Sequence, residues 1–281
     1  MRYREYRPSP ALAPFVRVFW TLEHEGEPPG ADRIFPDGCM EAVFHLGAPF
    51  GALDDADRVR VQPGAFLVGQ MTRALRVRPS SRARVVGVRF QPGGLHPFVR
   101  VPQHELTGVL PALGDVWPLL ARERERLGEL PDMPSVVARL EAVLSREAAG
   151  AARPDRRVAA VAAAIASSNG RVTVDRLASD CGLGARQLER LFRERVGLGP
   201  KRLGRIVRFQ AGLRAQEAGA SLAAAAHAAG YADQAHFARE FKAMAGVSPG
   251  TFASGDDALA AAFAGTRPDV GFVQAAADPR A

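Results

Sequence analysis

The sequence predicts an α+β fold: a small N-terminal antiparallel β-barrel or sandwich with a helical pair, then an all-α domain of two helix-turn-helix units. Three observations predict it. Short β-rich runs punctuated by Gly and Pro fill residues 1 to about 105. A helical pattern replaces them from Leu106 onward. One stretch then occurs twice: Ala178, Gly182, Leu188, Arg190, Phe192, Gly197 and Pro200 recur as Ala226, Gly230, Phe237, Arg239, Phe241, Gly246 and Pro249. The offset is 48 for the first two pairs and 49 for the others, so the second copy gains one residue in its turn. Self-similarity at a fixed spacing marks a repeated structural unit.

The bulk numbers agree with two globular domains. At 281 residues the chain has room for two cores, and 47% hydrophobic with 24% charged residues is an ordinary globular balance. No run of about 18 apolar residues predicts a membrane span, and the first fifteen residues lack the apolar core of a signal peptide. Cys39 and Cys181 fall in different expected domains, which fits a reducing cytoplasm better than a disulfide framework. The expected location is therefore cytoplasmic, on the nucleoid. Charge divides unevenly: residues 155–254 hold 15 Lys+Arg against 8 Asp+Glu, and the remainder holds 22 of each. A basic domain attached to a neutral one points to a polyanion-binding module joined to something with another job.

In the N-terminal part, residues 16–20, 41–46, 65–69 and 85–90 read as strands separated by turns such as Pro36-Asp37-Gly38. Closing such strands into a barrel removes exposed edges and leaves room for a small ligand. His24, His45, His96 and His104 are scattered, with no His-x-His pair, so neither a metal nor a cofactor is expected. Cys39 reads as a plain buried thiol, and Gln91-Pro92-Gly93-Gly94 as a turn rather than a phosphate loop. No catalytic constellation emerges, so an enzyme is not expected. From 106 to 148, Val136, Val137, Leu140, Val143 and Leu144 give one helix an apolar face. That face has two uses, packing on the barrel or mating with a second copy, and the second is slightly favoured. The expected division is 1–147 for the N-terminal domain, 148–154 for a linker, 155–254 for the repeat and 255–281 for a tail. In that tail Val270, Phe272 and Val273 could dock as an edge strand, although disorder is the commoner fate of such segments.

Within the repeat, Thr173 reads as the N-cap of a helix from Val174, Gly182 as a turn, and residues 185–196 as a second helix. Leu188 and Phe192 lie on its buried face, and Arg186, Glu189, Arg190 and Arg193 on another. Guanidinium groups on one exposed helix face suit phosphates and guanine edges, while Glu189 suits cytosine or an internal arginine. Pro200 opens a connector of roughly twenty residues, about 30 Å long, close to the roughly 34 Å between successive major grooves. Its Lys201, Arg202, Arg205 and Arg208 are expected to touch the DNA backbone. The second unit has Ser221 and Asp233 as caps, with Gln234, Arg239 and Lys242 on its open face and His236 beside them.

The pattern Ala-x3-Gly…Leu-x-Arg-x-Phe…Gly-x-x-Pro, with its second copy through Gly246-Val247-Ser248-Pro249, resembles the AraC/XylS family of transcription regulators over about residues 155–253. The resemblance implies two helix-turn-helix units inserted in adjacent major grooves, and action with RNA polymerase at a promoter. It also implies base or phosphate contacts for Arg186, Glu189, Arg190, Gln234, His236 and Arg239. Gly184 stands where the family has a Ser cap, which should loosen the start of the first recognition helix. PDG at 36–38, RFQPGG at 89–94 and VPQHELTG at 101–108 are similar to the sensory domain of one subgroup. Double-stranded DNA, a small-molecule effector and a second copy of the chain are thus the expected partners. Two other readings stay open: an enzyme barrel tethered to a DNA-binding domain, which turnover in a metabolite screen would favour, and a non-specific nucleoid protein, which steep salt dependence without sequence preference would favour.

Overall fold

The N-terminal strands are β1 (Arg2–Arg7), β2 (Val16–Glu25), β3 (Asp32–Ile34), β4 (Glu41–His45), β5 (Gly51–Leu53), β6 (Val59–Val61), β7 (Ala65–Val68), β8 (Leu75–Arg78) and β9 (Arg82–Phe90). A 3₁₀ turn (Gln103–Leu106) leads to the short helices α1 (Leu113–Val116), α2 (Pro118–Ala121) and α3 (Glu123–Glu129), and to the long α4 (Met133–Gly150). The C-terminal helices are α5 (Arg156–Ser167), α6 (Val174–Asp180), α7 (Ala185–Val196), α8 (Pro200–Glu217), α9 (Leu222–Ala229), α10 (Gln234–Ala245) and α11 (Pro249–Ala253), with a last strand β10 (Phe272–Gln274). The computed structural model describes residues 1–27 and 30–253, together with the backbone of 272–274.

The strands form two separate sheets, not a closed barrel. One has the order β10-β1-β2-β9-β4-β7 and the other β3-β8-β5-β6. The first sheet is covered on both faces. Trp20, Leu22, Val43 and Val85 meet Phe50 and Val77 from the direction of the second sheet. The alternate positions Phe19, Ala42, Phe44, Val86 and Val88 belong to a core with α4. A sheet with no solvated face needs no polar alternation, which is why residues 85–90 read as nearly continuous apolar sequence.

Helix α4 is capped by Asp132, whose Oδ1 accepts the Ser135 N–H at 2.8 Å. Val136, Val137, Leu140, Val143 and Leu144 are all buried in the same core as Phe44 and Val88. The apolar face favoured for a dimer contact is therefore already used within the chain. The helix also extends to Gly150, and α5 starts at Arg156, so only residues 151–155 connect them outside helices.

The C-terminal helices build two cores that share one element. Leu188, Phe192 and Val196 of α7 pack with Val161, Ile165, Leu177 and Leu203. Phe237, Phe241 and Met244 of α10 pack with Ile206, Phe209 and Leu213. Leu203, Ile206, Phe209 and Leu213 are all on α8, so that helix is a wall of both cores. Its 18 residues span about 27 Å at 1.5 Å each.

The sequence carries no sign of how closely the two halves associate. Phe35 leaves its own domain and lies in the second C-terminal core, edge-on to Phe209 at 5.8 Å and to Phe252 at 5.6 Å. Pro36 O accepts a hydrogen bond from Gln210 Nε2 at 2.7 Å. Gly38 has φ +80, and a β-carbon there would come within 2.5 Å of Leu203 Cδ1. Gly93 meets Val158 in the same way. Thr107 Oγ1 donates to Gly197 O at 2.8 Å. The three stretches PDG, RFQPGG and VPQHELTG are thus the surface that grips the helical half.

At the far edge, β10 pairs in parallel with β1, in register Glu5–Phe272, Tyr6–Val273 and Arg7–Gln274. This adds the edge strand considered for the tail. The expectation of disorder for the rest of the tail falls outside the described residues.

Candidate nucleic-acid interface

Each of α7 and α10 is fixed by a cap, a turn and a buried stripe. In the first unit Thr173 Oγ1 accepts the Arg176 N–H at 3.3 Å, starting α6. Gly184 starts α7 without a side chain, but Gln187 Oε1 accepts the Gly184 N–H at 2.9 Å. That bond supplies the reciprocal half of a capping box and limits the loosening expected from the missing serine. Gly197 ends α7 at φ +92, a left-handed stop that only glycine adopts without strain. In the second unit Ser221 caps α9, and Asp233 Oδ1 accepts the His236 N–H at 2.7 Å to start α10.

With Leu188, Phe192 and Val196 inward, Arg186, Glu189, Arg190 and Arg193 are exposed along α7. With Phe237, Phe241 and Met244 inward, Gln234, Arg239 and Lys242 are exposed along α10. Among the described residues, no ion pair or side-chain hydrogen bond occupies Arg186, Arg190, Arg193, Gln234, Arg239 or Lys242. Glu189 differs. Its carboxylate rests against Gly199, at the N-terminus of α8, where backbone N–H groups favour negative charge. His236 is half-buried, its ring edge-on to Tyr231 at 5.2 Å.

The four connector cations expected to touch DNA, Lys201, Arg202, Arg205 and Arg208, divide into two pairs. Lys201 and Arg202 are exposed and share a cleft of about 500 Å³ with Arg193. Arg205 Nε instead binds Glu240 Oε1 at 2.7 Å, and the Arg208 guanidinium lies over the Tyr231 ring at 5.5 Å. Both tie α8 to the second unit, and Arg205 still lines the cleft of Lys201 and Arg202.

Residues 177–255 match the family model described as a helix-turn-helix domain. The chain carries an AraC-type DNA-binding domain. Its function at that level is transcription regulation. Residues 4–110, which contain all three docking stretches, match a domain of unknown function, DUF6597. Among curated proteins nothing matches. Similar solved structures include apo ToxT from Vibrio cholerae, at 11% identity over 84% of this chain and 97% of that one, TM-score 0.46. ToxT of the same species bound to (E)-4-(8-methylnaphthalen-1-yl)but-3-enoic acid aligns at 13% identity over 84% and 98%, TM-score 0.44. A probable AraC family transcriptional regulator from Rhodopseudomonas palustris aligns at 24% identity over 41% and 100%, TM-score 0.31. No residue roles transfer at such scores.

Beside the first reading helix of the AraC-type domain stand Pro102 and His104 of the other half. With Arg186, Arg190 and Arg193 they line a groove of about 770 Å³. The stretch VPQHELTG is visible in the sequence, but its place beside α7 is not.

The N-terminal half contains a buried polar cluster of its own. Arg89 is buried among carboxylates, with Nε 2.5 Å from Glu41 Oε1 and 3.2 Å from Asp37 Oδ2, and a terminal nitrogen 3.7 Å from Glu5. Trp20 Nε1 donates to the other oxygen of Glu41 at 3.1 Å. Burial pushes the Cys39 thiol up to about 12, so it is an inert packing group. Of the histidines, His24 bonds Glu27 O at 2.9 Å and His45 bonds Gln62 Oε1 at 3.0 Å. No three His, Cys, Asp or Glu side chains gather as a metal would require, among the described residues. Nor is any helix among them long and apolar enough to cross a membrane.

His45 makes stability depend on pH. Burial lowers its pKa from an ordinary 6.5 to about 4. Between those values the unfolded chain takes up a proton that the folded chain refuses. The stability present above pH 6.5 is therefore lost as pH falls toward 4, by about 2–3 kcal/mol at pH 4.5. Urea melts at pH 7 and 4.5 should show this loss, and His45→Phe should reduce it by that amount. An identical pH dependence in both proteins would contradict the assignment.

Proposed function

We propose that α7 and α10 enter successive major grooves of double-stranded DNA, and that the N-terminal domain sets their occupancy in response to a small ligand. Arg186, Arg190 and Arg193 of α7, with Gln234, Arg239 and Lys242 of α10, reach base edges and phosphates. Glu189 positions the start of α8, and His236 lies at the backbone margin. The carrying observation is two exposed basic helix faces, free of internal partners among the described residues, joined through one helix common to both cores. Their exposed residues differ, so the bound element is asymmetric within one chain's footprint. By family likeness the regulator works with RNA polymerase at the promoter.

Arg190→Ala and Arg239→Ala should each weaken binding to a selected operator by about 1–3 kcal/mol. The measurement is a titration of operator DNA at fixed salt, with a scrambled duplex as reference. Wild-type affinity in both variants would overturn the proposal.

A further inference from the structure

Between the two sheets lies a cavity of about 40 Å³, walled by Trp20, Phe50, Phe66 and Val85. His45 lines it, stacked on Phe66 with ring centroids 5.5 Å apart. This histidine is 1% exposed, and its Nε2 is satisfied by the Gln62 side-chain oxygen at 3.0 Å. Its Nδ1 has no partner. With Nε2–H donating to Gln62, Nδ1 is a bare acceptor, and a buried acceptor without a donor is costly. A guest with a flat apolar body and one O–H or N–H would satisfy it.

We propose that this cavity takes a small phenolic ligand, its ring among the aromatic walls and its hydroxyl donating to His45 Nδ1, and that the loop between β7 and β8 carries its arrival to both reading helices. The first part names the ligand of the control proposed above, and the second names its route. The size mismatch sets the route. A benzene-sized guest fits a cavity on the order of 150 Å³, so one wall has to yield. Met71 is the pliable wall, being unbranched and unattached to either sheet. On its other side is an interdomain cleft of about 610 Å³, also lined by Met71. Neighbours in the same loop hold the helical half. Gln70, fixed within its own half by donating to Gly38 O at 3.0 Å, packs its side chain on Gly197, where α7 ends. The Ala74 N–H donates to Met244 O in the last turn of α10 at 2.6 Å. Moving Met71 outward therefore disturbs the C-terminal ends of both reading helices at once.

Phenol and toluene, nearly equal in size and differing in the hydroxyl, are the probes. Calorimetric titration of the full chain should show phenol binding about tenfold tighter than toluene, and His45→Phe should remove the preference. Hydrogen exchange on the phenol-saturated protein should speed up at residues 69–75 and 242–246. Absence of phenol binding, or equal binding of both probes to the wild type, overturns the ligand class without relying on any variant. Binding with unchanged exchange overturns the route. Neither readout uses DNA, so failure here leaves the Arg190 and Arg239 result standing, and failure there leaves this one.

Discussion

Replacing Arg89 with methionine is expected to cost the N-terminal domain about 3–5 kcal/mol, because three carboxylates lose the cation they surround. Glu41, Asp37 and Glu5 all point at this guanidinium, which is only 6% exposed. Methionine fills similar space but offers no donor and no charge. Protonation of the stranded carboxylates relieves part of the cost, so the deficit should shrink as pH is lowered. Both tryptophans, Trp20 and Trp117, lie in this half, so their fluorescence during urea unfolding follows it alone. Loss of less than about 1 kcal/mol at pH 7 would mean that the carboxylates do not depend on this cation. Arg89 also pairs with Asp37 of the PDG stretch, so the variant should loosen docking of the helical half as well.

Phe35→Ala is expected to undo that docking and leave both halves folded. The ring is buried in the second C-terminal core and contributes nothing to either sheet's core. Truncating a buried phenylalanine costs about 3–5 kcal/mol, here charged mostly to the association of the halves. Small-angle scattering should show an expanded particle, and protease should cut within 151–155, while the tryptophan melt stays close to wild type. A compact, protease-resistant variant would show that Gly38, Gly93 and Thr107 suffice for the contact.

The repeat was legible in sequence because its caps, turns and buried stripes are local. Thr173, Ser221 and Asp233 cap as expected, and Leu188, Phe192, Phe237 and Phe241 are buried as expected. Strands β2, β4, β7 and β9 were legible from their apolar runs. The short β3, β5 and β6, with sequences DRI, GAL and VRV, offer no periodicity to detect. Strand spacing left barrel and sandwich both open, because spacing cannot tell a closed sheet from two sheets packed face to face; the two sheets are the sandwich. Docking was illegible for another reason: it depends on where Gly38 and Gly197 lack a β-carbon and on Phe35 turning outward, which are properties of the partner surface. The same holds for Arg205 and Arg208, whose partners Glu240 and Tyr231 are distant in sequence.

Because α8 lines both C-terminal cores, neither reading unit owns a complete interior. The pair should behave as one cooperative block, opening to solvent exchange together rather than one after the other. A truncation after residue 219 would strip the apolar cover from Phe209 and Leu213 and cost the first unit its footing, although every residue of that unit would remain. The two helix-turn-helix units are, in this sense, a single thermodynamic object.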